Sequence, residues 1–257
     1  MELSESPSTN AAGVNFMSTT EWKQHIEYPE SDGLPMGETD LHIHWMIRIN
    51  DILKRRYRGQ RVYVASDLLV YYHEGFPSQF VVPDNFVVLD CDPGMRRVFK
   101  IWEEQRVPSV VFEVTSKSTS RNDYVTKMAL YEELGVQEYF LYDPEEEYLD
   151  PPLQGQRLAG SRYEPIQAVD GRYRSQLLGV DLYRHQRDLV LVDVLTGQEC
   201  LTGEESEREQ KEIFREQKEL LREQKDLERL ARLEAETEIE RLKAEIARLR
   251  DAGRQSS

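Results

Sequence analysis

The apolar positions of the chain change period several times, and each change marks an element. Along LHIHWMIRINDILKRRY, residues 41–57, Trp45, Ile49, Ile52 and Leu53 recur at three- and four-residue steps, the period of one helix face. Thr39 or Asp40 stands where the cap of that helix belongs. From Val62 the pattern turns to β-branched and aromatic runs. VYVASDLLVYY and FVVPDNFVVLD flank a His-Glu-Gly-Phe-Pro turn and predict consecutive strands, and RVFKIWEE, residues 97–104, predicts another. VPSVVFEV is a short unbroken apolar run, the mark of a strand buried on both faces, so it is expected at the centre of a sheet.

Ser120-Arg121-Asn122-Asp123 reads as a capping box, after which Tyr124, Met128, Tyr131 and Leu134 step at helical spacing until Gly135 ends the run. VQEYFLYDP then returns to strand character. Residues 109–143 therefore predict a strand, helix, strand crossover. Short strand-like pieces separated by turns over residues 155–194 predict an antiparallel β extension. The expected class is α/β, a mixed central sheet flanked by helices, followed by that extension and a long C-terminal helix.

The C-terminal pattern is a repeat. REQKEIF, REQKELL and REQKDLE stand head to tail from Arg208 to Glu228, with Ile213, Leu220 and Leu227 at one heptad position and Gln217 and Gln224 at the other core position. Ile239, Leu242, Ile246 and Leu249 continue with a four-three rhythm, one residue out of phase, so a stutter or skip is placed near Ala231–Ala235. A helix over 204–251 would extend about 70 Å. One apolar seam on an otherwise charged rod predicts a coiled coil, with a second copy or a different protein as partner. The expected organisation is a disordered tail over 1–20, a folded domain with its β extension over 21–203, the coiled coil over 204–251, and a disordered tail over 252–257.

Composition narrows the function. Asp and Glu number 48 against 33 Lys and Arg, a formal net charge of −15. The segment from 204 onward carries −3 of it, so the folded part keeps about −12. That balance disfavours nonspecific adhesion to nucleic acid or anionic lipid and requires a local basic group or a metal ion in any nucleic-acid enzyme built on it. Cys91 and Cys200 are the two cysteines, too few and too far apart for a disulfide framework or a zinc site, which fits a reducing cytoplasm. No apolar run reaches membrane-spanning length and the polar N-terminus has no signal-peptide pattern. Gly-rich phosphate loops and a Gly-x-Ser-x-Gly elbow are absent, and Ser116, Ser118, Thr119 and Ser120 read as loop and cap hydroxyls.

The candidate chemistry lies in three charged residues. Asp84, after Pro83, and Glu113 each lie on or beside a predicted strand, 29 residues apart, enough for the chain to return and place them side by side. Two carboxylates on neighbouring strands suit Mg²⁺, which binds through one or two acids and keeps water and phosphate oxygens as its other ligands. An ammonium group nearby can orient the attacking water and offset charge on a phosphate. Lys117 and Lys127 are the candidates, with Lys127 preferred because it lies one turn inside the predicted helix.

The residues from about 38 to 153 resemble the Uma-type restriction endonucleases of the PD-(D/E)XK nuclease superfamily. The matching segments are ETDLH before the first helix, Pro83-Asp84, EVTSKST at 113–119, Asp123 with Lys127 and Tyr131, GVQEYFLYDP at 135–144 and YLDPPLQG at 148–155. The resemblance implies a restriction endonuclease-like fold and Mg²⁺, replaceable by Mn²⁺, held by Asp84, Glu113 and the main-chain carbonyl of Val114. It also implies that His42 and Glu38 line the site, with Lys117 as a further neighbour. The superfamily places a lysine two residues after the second acid, where this chain has Thr115; the resemblance to branches with a displaced lysine assigns that role to Lys127. The function expected is metal-dependent endonucleolytic hydrolysis of DNA. The alternative is a catalytically inactive nuclease-like module whose coiled coil mediates assembly.

Overall fold

The computed structural model describes residues 26–31, 39–116 and 121–255, and within them the side chains other than those of 121–123, 245 and 247–255. The capping box at 120–123 falls outside these described groups, as do Glu38, Lys117 and both predicted tails apart from the helical backbone of 252–255. Helix α1 (Asp40–Arg56) begins at Thr39, whose hydroxyl accepts the His42 N–H at 3.2 Å, and Trp45, Ile49, Ile52 and Leu53 are buried as their spacing predicts. A buried histidine, His42, joins them at the start of the helix.

The main sheet has six strands in the order β1 (Val62–Ser66), β4 (Asn85–Leu89), β6 (Val110–Val114), β7 (Glu138–Tyr142), β8 (Leu153–Ala159) and β9 (Arg162–Pro165). Only β6 and β7 run parallel; every other pair in it is antiparallel. The parallel pair arises because α3 (Arg121–Leu134) carries the chain back between the two strands, the crossover expected from the sequence. Strand β6 is buried along its whole length. Val110, Phe112 and Val114 face the cluster that contains Trp45 and Ile49 of α1, whereas Val111 faces the opposite cluster around Tyr131 of α3. The two-residue period of the strand thus divides one apolar run between two cores, and puts Glu113 on the α3 side.

The structure departs from the predicted pattern in four places, one of them the run FVVPDNFVVLD, whose two halves fall into different sheets. The run VYVASDLLVYY is broken at Asp67, which adopts a left-handed conformation (φ 49°), so only Val62–Ser66 joins the main sheet. Its second half, β2 (Val70–Tyr71), pairs with β3 (Phe80–Val81) and β5 (Phe99–Lys100) in a small separate sheet. RVFKIWEE is not one strand: after β5 the chain turns into a single helical turn, α2 (Ile101–Glu104). The predicted β extension also divides. Its first hairpin, β8 and β9, completes the main sheet, and only β10 (Tyr173–Ser175), β11 (Val180–His185) and β12 (Asp188–Asp193) form a separate antiparallel sheet. That sheet buries Val180, Leu182, Leu189 and Leu191 in the core on the α1 side. Arg56 at the end of α1 fastens it by bonding to Asp193 and to the Leu178 and Gly179 carbonyls.

Helix α4 (Gly203–Gln255) is one continuous helix of 53 residues. Among the described residues no helix is long and apolar enough to cross a membrane.

Candidate active site

Asp84 and Glu113 meet because of strand register. The antiparallel pairing of β4 with β6 sets Asn85 opposite Phe112, and continuing it by one residue sets Asp84 opposite Glu113. The Val114 N–H donates to Asp84 Oδ2 at 2.7 Å, and the Ser66 hydroxyl donates to the Asp84 carbonyl at 2.7 Å, so Asp84 is held at both its side chain and its main chain. Its side chain is 15 % exposed.

Glu113 is almost wholly buried, yet both its oxygens are engaged. Lys127 donates to Oε2 at 2.9 Å and Tyr131 donates its hydroxyl to Oε1 at 2.6 Å. Lys127 and Tyr131 are four residues apart on α3, so they share one face and reach the same carboxylate together. The Lys127 ammonium also donates to the Val82 carbonyl at 3.1 Å, which ties α3 to the turn before Asp84. Burial drives the Glu113 carboxyl up to about 7, against the opposing pull of Lys127 and with the help of nearby Asp84. Tyr131 is raised well above the ordinary tyrosine value, first by its own burial and then by the Glu113 charge, so it remains a donor.

His42 reaches the cluster: its Nε2 lies 3.3 Å from Asp84 Oδ1, placing the start of α1 against the first acid. The Val114 peptide lies beside both acids through its N–H bond to Asp84. Thr115, at the position the superfamily gives to lysine, is buried and donates its hydroxyl to the Tyr142 carbonyl. The ammonium at Glu113 is therefore delivered from the helix. Glu38 and Lys117 lie outside the described residues. Asp143, in the GVQEYFLYDP segment, is structural: its carboxylate accepts four backbone N–H bonds, from Glu145, Glu146, Tyr148 and Leu149.

The sequence assigns no chemistry to Tyr131, which enters there as an apolar step of α3 and as one of the residues that carry the family resemblance. The available signal is its i,i+4 relation to Lys127, since a side chain one turn from the chosen lysine meets the same target.

The donor set fits a hard divalent cation. It consists of oxygen groups, two carboxylates and a nearby peptide, with no thiolate among them. Among the described residues no three His, Cys, Asp or Glu side chains form a closed metal cage; Mg²⁺, which retains water and substrate oxygens, does not need one. Surface clefts of about 520, 340 and 760 Å³ are lined by other residues.

Comparison with curated proteins finds no match. The chain is similar to a solved structure described as a "putative nuclease belonging to DUF820" from Anabaena variabilis, at 15 % identity and a TM-score of 0.43, over 56 % of this chain and 76 % of that one. The model of the family Uma2, described as "Putative restriction endonuclease", matches residues 20–182, which takes in α1, the main sheet and the three charged residues and leaves α4 outside. Since that match covers well over half of its length, the chain belongs to the Uma2 family.

Proposed function

We propose that this chain is a metal-dependent endonuclease that hydrolyses phosphodiester bonds in DNA. The observation that carries the reading is the placement of Asp84 and Glu113 opposite one another on adjacent strands, with Lys127 bonded to Glu113. Asp84, Glu113 and the Val114 carbonyl would hold Mg²⁺, or Mn²⁺ in its place. When bound, the ion supplies Lewis-acid polarisation of the phosphate and a lowered pKa for its water.

The chain's own groups do the rest. Lys127 orients the attacking water and offsets negative charge as it grows on the phosphate. His42 fixes the Asp84 carboxylate from one side while the Val114 N–H fixes it from the other. Tyr131 fixes the Glu113 carboxylate, so replacing it with Phe is expected to weaken Mn²⁺ binding by about 10- to 100-fold with the fold unchanged. Isothermal calorimetry on the Tyr131→Phe protein checks this, and unaltered affinity would remove Tyr131 from the account.

The test of the whole reading is plasmid cleavage by the full chain. Supercoiled DNA should be nicked or linearised with Mg²⁺ and left intact with a chelator. No cleavage of duplex, single-stranded or branched DNA with either Mg²⁺ or Mn²⁺ would favour the second reading, a nuclease-like binding module. One observation supports that alternative: both Glu113 oxygens and both Asp84 oxygens already have partners within the protein.

A further inference from the structure

Helix α4 is anchored at its root, and its described side chains from Glu207 onward stand in solvent. Gly203 donates its N–H to Asp51 at 2.8 Å, Arg48 pairs with Glu205, and Arg55 donates to Ser206 at 2.5 Å, three contacts that all fall on α1. From Glu207 to Ala244 every side chain is exposed. That exposed stretch measures about 57 Å at the helical rise. A row of apolar residues nonetheless recurs at the heptad core positions: Leu220, Leu227, Ile239 and Leu242 are 58 %, 66 %, 51 % and 49 % exposed, while Phe214, Leu221, Leu230 and Leu233, also exposed, lie beside that row. An apolar row of this length on a charged rod marks an interaction surface.

The residues in that row specify the occupant. With Ile213, Leu220 and Leu227 at heptad position d, Gln217, Gln224 and Ala231 fall at a. After the one-residue skip, Ile239 and Ile246 fall at a and Leu242 at d. β-Branched residues at a with leucine at d favour two parallel strands, and a polar side chain at a specifies register. Charge agrees with that direction. Glu238 is at g and Lys243 at e, and in a parallel, in-register pair each Glu238 meets the other copy's Lys243; antiparallel pairing would oppose like charges instead. Within one chain these two groups pair with exposed neighbours, Glu238 with Arg241 and Lys243 with Glu240, contacts that exchange at little cost.

We propose that α4 is one strand of a parallel, in-register, two-stranded coiled coil formed with a second copy of this chain, zipped from Ile213 to Ile246. Because each root is fixed on its own α1, the two folded domains then stand at the same end of the rod.

Analytical ultracentrifugation of the full chain tests the proposal, with twice the chain mass expected. Leu220→Asp combined with Leu242→Asp should return a single-chain mass while the circular dichroism of the folded domain persists. Glu238→Lys and Lys243→Glu should each weaken the pair several-fold, and the two together should restore it. Leu242→Cys should form a disulfide-linked dimer on oxidation where the unsubstituted chain does not. A single-chain mass at the highest concentration, a larger oligomer, a mass that rises only when a different protein is added, or a dimer that Leu242→Cys fails to cross-link would overturn it.

Discussion

Asp84→Asn and Glu113→Gln are each expected to lower Mg²⁺-supported DNA cleavage by about a thousandfold or more, because each removes one of the two charges available to a divalent ion while keeping the side-chain shape. Neither change should unfold the protein. In the Asp84→Asn variant the new amide keeps an oxygen for the Val114 N–H, and in Glu113→Gln it keeps one for the Tyr131 hydroxyl, so the strand pairing that creates the site survives. Single-turnover nicking of supercoiled plasmid measures the loss, with circular dichroism as the control for folding. Cleavage retained in either variant at the unsubstituted rate would place the chemistry elsewhere.

Lys127→Met should cost about 10²- to 10⁴-fold at neutral pH, the range for a positioned acid–base group, and should also change the pH dependence. Burial raises the Glu113 carboxyl to about 7, and Lys127 is the largest opposing influence. Without that ammonium the carboxyl holds its proton to still higher pH. A protonated Glu113 competes with a cation, so Mn²⁺ affinity in the unsubstituted protein should rise with pH through about 7, and the rise in Lys127→Met should move to the alkaline side.

The linked effect on stability has a definite sign. The folded state keeps the Glu113 proton above the ordinary value of 4.5, at which the unfolded chain loses it. The stability this gives is fully present below 4.5 and is lost as pH rises through about 7. In a chelator, denaturant unfolding should accordingly report a fall in stability from Glu113 across that window, absent in Glu113→Gln. A Lys127→Met protein with an unshifted pH profile would separate the lysine from the carboxyl.

Much of this arrangement is legible in the sequence because the decisive residues sit on regular elements. The unbroken apolar run around Glu113 specifies a strand buried on both faces, and the helical spacing from Tyr124 to Leu134 puts Lys127 on a helix returning over it. What the sequence leaves open depends on a third dimension. Register opposite Asp84 is set by pairing between strands, and no local pattern states which strand pairs with which. The departure at residues 62–72 turns on Asp67, a residue type that tolerates the left-handed region, inside a run otherwise uniform in β character. Tyr131 is hidden for a related reason: a tyrosine at an apolar helical position reads as core, and only the buried carboxylate beneath it gives the hydroxyl a purpose. The hairpin at 153–165 reads as an appendage because alternating strands and turns do not say which sheet they complete.

The proposed chemistry requires Asp84 and Glu113 to share one divalent ion. Anomalous diffraction from crystals soaked in Mn²⁺ tests this most directly. A single Mn²⁺ peak bonded to one oxygen of each carboxylate, with the Lys127 nitrogen beside it, is the predicted result. Full-occupancy Mn²⁺ at other positions, with Glu113 still capped by Lys127 and Tyr131 and no peak between the two acids, would contradict it.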